Sequence, residues 1–117
     1  MKALWAAAMA AGMLVGGVAH ADDAMQTAYG NTVVVTEPNG AVLRYYFEPD
    51  GTFTASAPND VTLRGRYEVA GDQLCFLAPS GQRTCSPLAA GKHVGDSWTQ
   101  TGTQGQDITV TLQAGRP

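Results

Sequence analysis

Histidine is nearly missing from this sequence. His20 falls in an apolar leader, which leaves His93 for the rest of the chain. A catalytic triad, a zinc catalytic site or a histidine metal cage each needs more than one. His93 itself lies among Gly91, Lys92, Gly95 and Asp96, the setting of an exposed loop. The four serines, Ser56, Ser80, Ser86 and Ser97, stand in neither a G-x-S-x-G elbow nor a Ser-x-x-Lys pair. Phosphate loops and dinucleotide fingerprints are absent, as are clusters of Lys and Arg. Asp50-Gly51 lacks the further acidic residues that a calcium loop requires. These absences predict a non-enzymatic protein with no cofactor, no metal and no nucleic-acid partner.

The amino terminus reads as an export signal. Met1-Lys2 is followed by an almost unbroken apolar run from Ala3 to Val18, then by Ala19-His20-Ala21 with small residues where a signal peptidase reads them. A spanning helix needs about 20 apolar residues, and this run is shorter and Gly-rich near its end. Residues 1–21 are therefore expected to be a cleaved signal peptide. No cysteine follows that could carry a lipid, so no membrane attachment is expected afterwards. The short basic start suits a Gram-negative periplasmic or secreted protein. Removal leaves 96 residues, with six basic against ten acidic side chains and a net charge of −4. That is one small acidic domain, a poor match for nucleic acid or anionic lipid.

Residues 22–30 show no period and are expected to form a flexible arm. Residues 31–117 alternate strand-like runs with turn clusters. Pro38-Asn39-Gly40, Pro49-Asp50-Gly51 and Pro79-Ser80-Gly81 each place Pro, a short polar residue and Gly in the order that a tight turn favours. Eight strands are expected between the turns, near 31–37, 41–48, 52–56, 61–69, 73–78, 82–86, 94–101 and 107–113. Ala41, Leu43, Tyr45 and Phe47 share one face of the second strand. Val61, Leu63, Gly65, Tyr67 and Val69 share one face of the fourth, and Ile108, Val110 and Leu112 one face of the last. A period of two with one apolar face means that each strand covers a core. Glu37, Glu48 and Glu68 are read as outward, in a charge lattice with Arg44, Arg64 and Arg66, rather than as a sugar-hydrolysing carboxylate pair.

The fold expected is all-β: a small antiparallel up-and-down meander of about eight strands, closed or nearly closed into a barrel. A two-sheet β-sandwich is the alternative. The inward Gly65 should leave room for an aromatic ring, with Trp98 or Tyr45 the candidates. Cys75 and Cys85 lie symmetrically about Ser80, so a hairpin centred there sets them opposite each other as a disulfide. Closing so short a loop contributes roughly 3 kcal/mol. Many inward rings on short strands should fill the interior and leave little space for a ligand.

The stretch Tyr46-Phe47-Glu48-Pro49-Asp50-Gly51-Thr52-Phe53, followed by Gly65-Arg66-Tyr67-Glu68-Val69-Ala70-Gly71-Asp72-Gln73-Leu74-Cys75, resembles small exported bacterial proteins with lipocalin-like β-barrel domains. Val94-Gly95-Asp96-Ser97-Trp98 and Ile108-Thr109-Val110-Thr111-Leu112 extend the likeness over most of residues 31–117. The architecture is also similar to that of periplasmic metalloprotease-inhibitor barrels, in which an N-terminal arm enters the protease cleft. That second resemblance implies a role for the arm, with Asp22, Asp23, Met25 and Tyr29 as candidate contacts; the cysteine spacing here is shorter than in that family. The functional expectation is a monomeric envelope module acting through its surface on another envelope or secreted protein. A protease inhibitor and a small-ligand carrier are the alternatives.

Overall fold

The alternating stretches become strands in a computed structural model, which describes residues 24–117. The expected signal peptide, and Asp22 and Asp23 after it, lie outside the described residues. The strands are β1 (Thr32–Thr36), β2 (Val42–Phe47), β3 (Thr52–Ala57), β4 (Val61–Ala70), β5 (Gln73–Leu77), β6 (Arg83–Pro87), β7 (Ser97–Thr101) and β8 (Asp107–Gln113). All eight belong to one antiparallel sheet in the order β6-β5-β4-β3-β2-β1-β8-β7. The sheet curls into a nearly closed barrel, so the sandwich alternative does not hold. Its one gap lies between β6 and β7.

The three proline turns share one geometry. Gly40, Gly51 and Gly81 hold φ of 89°, 90° and 93°, the left-handed region that closes each turn. The preceding short polar side chain accepts the N–H two residues on, at or just before the start of the next strand: Asn39 from Ala41 at 3.0 Å, Asp50 from Thr52 at 3.0 Å and Ser80 from Gln82 at 3.4 Å. The Thr52 hydroxyl also donates to Asp50, and these bonds hold its carboxyl below the usual range. Register follows from such turns. Cys75 stands directly opposite Cys85 and is bonded to it, with the two Cα atoms 4.0 Å apart. The disulfide lies on the outer face, where Arg83 Nη2 sits 3.4 Å from Cys75 Sγ and 3.2 Å from Glu68.

Rings fill the β2–β5 side of the interior. Phe47 stacks on Tyr45 at 5.7 Å and meets Tyr67 edge-on at 5.1 Å; Phe53 meets Phe76 edge-on at 5.1 Å. The ring that Gly65 accommodates is Phe53, not Trp98 or Tyr45. The two residues are register partners on β3 and β4, and a Cβ on Gly65 would stand 2.8 Å from Phe53 Cε1.

Two expected core residues are not covered: Val61 and Leu63 are each 49% exposed. The cause is strand length. β4 pairs with β3 along Val61–Arg66 but with β5 only from Arg66 onward, so its first half overhangs the barrel. The charge lattice also has other partners than expected. Glu68 pairs with Arg83, and Glu48 with Arg116 at 2.7 Å; none of the ion pairs among the described residues uses Arg44, Arg64 or Arg66.

The Gly65–Phe53 contact yields a test. Gly65→Ala is expected to destabilise the domain by about 1–3 kcal/mol through overpacking, read as a fall in urea midpoint. In a Phe53→Leu background the same substitution should cost markedly less. An equal cost in both backgrounds would show that the ring is not what constrains the glycine.

Candidate functional site

The antiparallel order sets four turns at one end of the barrel, around residues 38–40, 58–60, 78–82 and 102–106. The opposite end receives residues 24–31, the β2–β3 and β4–β5 turns, the 88–96 connector and the tail after β8. That second end is plugged. Residues 24–30, expected as a flexible arm, form a helical turn in which Ala28 and Tyr29 N–H both donate to Met25 O. Met25 is 3% and Ala28 5% exposed, and they join Phe47 and Tyr67 in the core. Seven residues are too few to show a helical period in the sequence, but two apolar side chains three apart suffice to seat one turn on the ring cluster.

Hydroxyls lock the plug. Tyr29 and Tyr67 oxygens lie 3.1 Å apart, and Tyr67 donates to Glu48 O at 2.6 Å. Burial, and after it the Tyr29 hydroxyl, push the Tyr67 phenol well above its ordinary range. Asn31 Nδ2 donates to Thr27 O, while Asn31 Oδ1 accepts from Gly115 N–H. Of the candidate arm residues, then, Met25 and Tyr29 are built into the barrel end, and Asp22 and Asp23 lie outside the described residues.

Beneath this plug the interior is not filled. A cavity of about 110 Å³ runs along the β6, β7, β8 and β1 side. The rings occupy the opposite side, and the inward residues here are shorter: Val33, Val35, Ile108, Val110, Leu112 and Ser86. Tyr45, Phe47 and Phe76 form the boundary between the two halves. The expectation of a filled interior fails because the ring cluster comes from β2 to β5 and Trp98 of β7 is the one ring facing it, while the barrel's width is set by its strand number.

The cavity reaches the surface along the β6–β7 gap. Pro87 and Leu88 stand on one side, Trp98 and Gln100 on the other, with Lys92 in the connector. Gln100 Nε2 donates to Pro87 O at 2.8 Å across the gap, and Trp98 Nε1 donates to Gln100 Oε1 at 2.7 Å. Lys92 Nζ lies 5.0 Å over the Trp98 ring. His93 keeps the loop position expected of it; its N–H donates to Asp96 at 2.8 Å.

Glu37 is at the far end of the same cavity, not on the outer face. Its carboxylate accepts from Gln106 Nε2 at 3.0 Å, and its charge adds to the burial that raises the Tyr45 phenol. Val33 and Val35 point inward, so the period of two carries Glu37 inward as well; its charge masks that signal. Among the described residues no group of three or more His, Cys, Asp or Glu is placed to hold a metal ion, and no helix is long and apolar enough to cross a membrane.

The plug makes stability sensitive to alkali. Because the folded pKa of Tyr67 is raised, its contribution is fully present below about pH 10 and is lost above it, where the unfolded chain ionises first. Urea midpoints should fall between pH 9 and pH 11, and Tyr67→Phe should flatten that fall while costing about 1 kcal/mol at neutral pH. A wild-type midpoint that does not move over this range would refute the assignment.

Set beside protein-family models, curated proteins and solved structures, the chain matches none of them.

Proposed function

We propose that the barrel binds a small, largely apolar ligand in this cavity, as an exported carrier or sensor of the envelope. The observation that carries the reading is the cavity itself. Its walls are mainly apolar, strands supply Val33, Val35, Ile108, Val110 and Leu112 to them, and it reaches solvent along a strand gap that no backbone ladder closes. Size sets the class of ligand. An apolar cavity of roughly 150 Å³ accepts benzene, so about 110 Å³ suits one small ring or a short alkyl chain. The formed disulfide supports an oxidising compartment, in keeping with periplasmic or secreted placement.

The inhibitor alternative draws less support. An inhibitory arm has to leave the barrel, whereas Met25 and Ala28 are part of its core and line the cavity roof. The surface-interaction reading rests on no feature as distinct as the cavity: the outer strand faces carry short polar and charged side chains such as Thr54, Ser56, Thr62 and Arg64.

Trp98 lines the cavity and is the only tryptophan after residue 21, which makes its fluorescence a direct report. Titration of the mature protein with hexan-1-ol should shift Trp98 emission and give a submillimolar Kd, roughly −5 kcal/mol. Val110→Phe, which projects a ring into the cavity, should retain the thermal transition and lose the shift. No spectral or calorimetric response up to about 10 mM alcohol, a level at which even millimolar binding registers, would overturn the proposal.

A further inference from the structure

The cavity has one cation at its mouth, and its surroundings leave that cation uncommitted. Lys92 lies in the connector that crosses the β6–β7 gap, lines the cavity and is partly exposed. The three ion pairs among the described residues engage Arg83, His93 and Arg116, and none engages Lys92. Its ammonium is held over the Trp98 ring instead, a contact that positions the charge without neutralising it.

The amide and carboxylate groups near the mouth already have partners. Gln100 accepts from Trp98 Nε1 with its oxygen and donates from its nitrogen to Pro87 O. Asp96, the nearest carboxylate in the connector's sequence, accepts the His93 N–H and lies 3.7 Å from His93 Nδ1. The cavity's own carboxylate, Glu37, sits at the far end, where Gln106 donates to it. Gly102 makes that arrangement possible, since a Cβ there would stand 2.7 Å from the Gln106 amide.

We infer that the ligand is a short-chain organic anion, a monocarboxylate in its simplest form, bound with its charged head at Lys92 and its apolar tail in the cavity. The inference rests on the cavity reading above and deepens it. Lys92 supplies three N–H donors to a carboxylate at the water-exposed mouth, so the head group need not give up its hydration entirely. The tail lies among the apolar side chains of Val35, Ile108 and Val110. Polarity along the cavity excludes the reverse pose, because a carboxylate driven inward would approach Glu37.

Hexanoate, hexan-1-ol and hexylammonium share one tail and differ in the head, so their Kd values separate the two readings. With the mature, oxidised protein at low salt, hexanoate should bind about tenfold more tightly than hexan-1-ol, and hexylammonium more weakly than either. Lys92→Gln should remove the hexanoate advantage and leave alcohol binding within about twofold; added salt should erode the advantage in the wild type alone. Alcohol binding equal to or tighter than hexanoate binding, or a Lys92→Gln protein that keeps the preference, overturns the head-group assignment and leaves the cavity reading standing. Tightest binding of hexylammonium transfers the recognition to Glu37 and also overturns it. Failure of all three probes overturns both readings together.

Discussion

One strand pairing turns this chain from a ribbon into a container. Every other pairing joins neighbours in sequence through a turn or short connection, whereas β1 meets β8 across most of the described chain, Thr32 facing Gln113 and Thr36 facing Thr109. Closing so long a loop costs entropy that only the finished contacts return. The joint is accordingly reinforced: fully buried Thr32 donates from Oγ1 to Gly115 O at 2.7 Å, and Asn31 Oδ1 receives the Gly115 N–H. Arg116, just beyond, reaches Glu48 and Phe47 O and lies over the Tyr46 ring. The same joint carries β7 into place, since β7 has its backbone ladder with β8 alone.

The interior follows from that closure. Eight strands fix a circumference whatever side chains they bring, and the chain spends its rings unevenly. Tyr45, Phe47, Phe53, Tyr67 and Phe76 form one connected cluster on β2 to β5. Opposite them stand valines, an isoleucine, a leucine and Ser86, with Trp98 the one ring among them, and these do not span the remaining width. The disulfide and the β4–β5–β6 hairpins stiffen the wall on one side of the gap, and the β1–β8 joint stiffens the other. The gap itself is held by the Gln100–Pro87 bond and by the connector, whose Leu88 N–H donates to Asp72 O and whose Gly95 N–H donates to Leu112 O.

What the residues disclose in order along the chain was legible; what depends on who faces whom across the barrel was not. Strand positions, the three proline turns and the Cys75–Cys85 pairing are local, and each appears close to its expected place, the largest difference being β7, which begins at Ser97 rather than near 94. Gly65 was recognisable as a ring's neighbour, but the identity of that ring depends on the β3–β4 register, which sets Phe53 against it. The exposure of Val61 and Leu63 depends on where β5 stops, a fact about another strand. The cavity required knowing that ring-bearing strands are contiguous and that β8 closes on β1. Glu37 is the instructive case, because the alternation through Val33 and Val35 placed it inside while its charge argued for the outside. Trp98 reads in the sequence as a candidate neighbour of Gly65 and instead lines the cavity, and Lys92 beside it carries no signal beyond a loop position.

The location of the gap has a topological consequence. In most meanders the break in the ring of strands lies between the first strand and the last; here β1 and β8 are joined, with Asn31 bonded to Gly115 beside them, and the break falls between β6 and β7. A circular permutant that begins in the 88–96 connector, runs through β7 and β8, and passes by a short linker into residue 24 would keep every strand pairing. Its new ends would fall at the gap, where the wall has no ladder to interrupt. The ring of strands thus has its natural opening at the mouth of the cavity, and the order in which the chain visits those strands is, for the geometry, incidental.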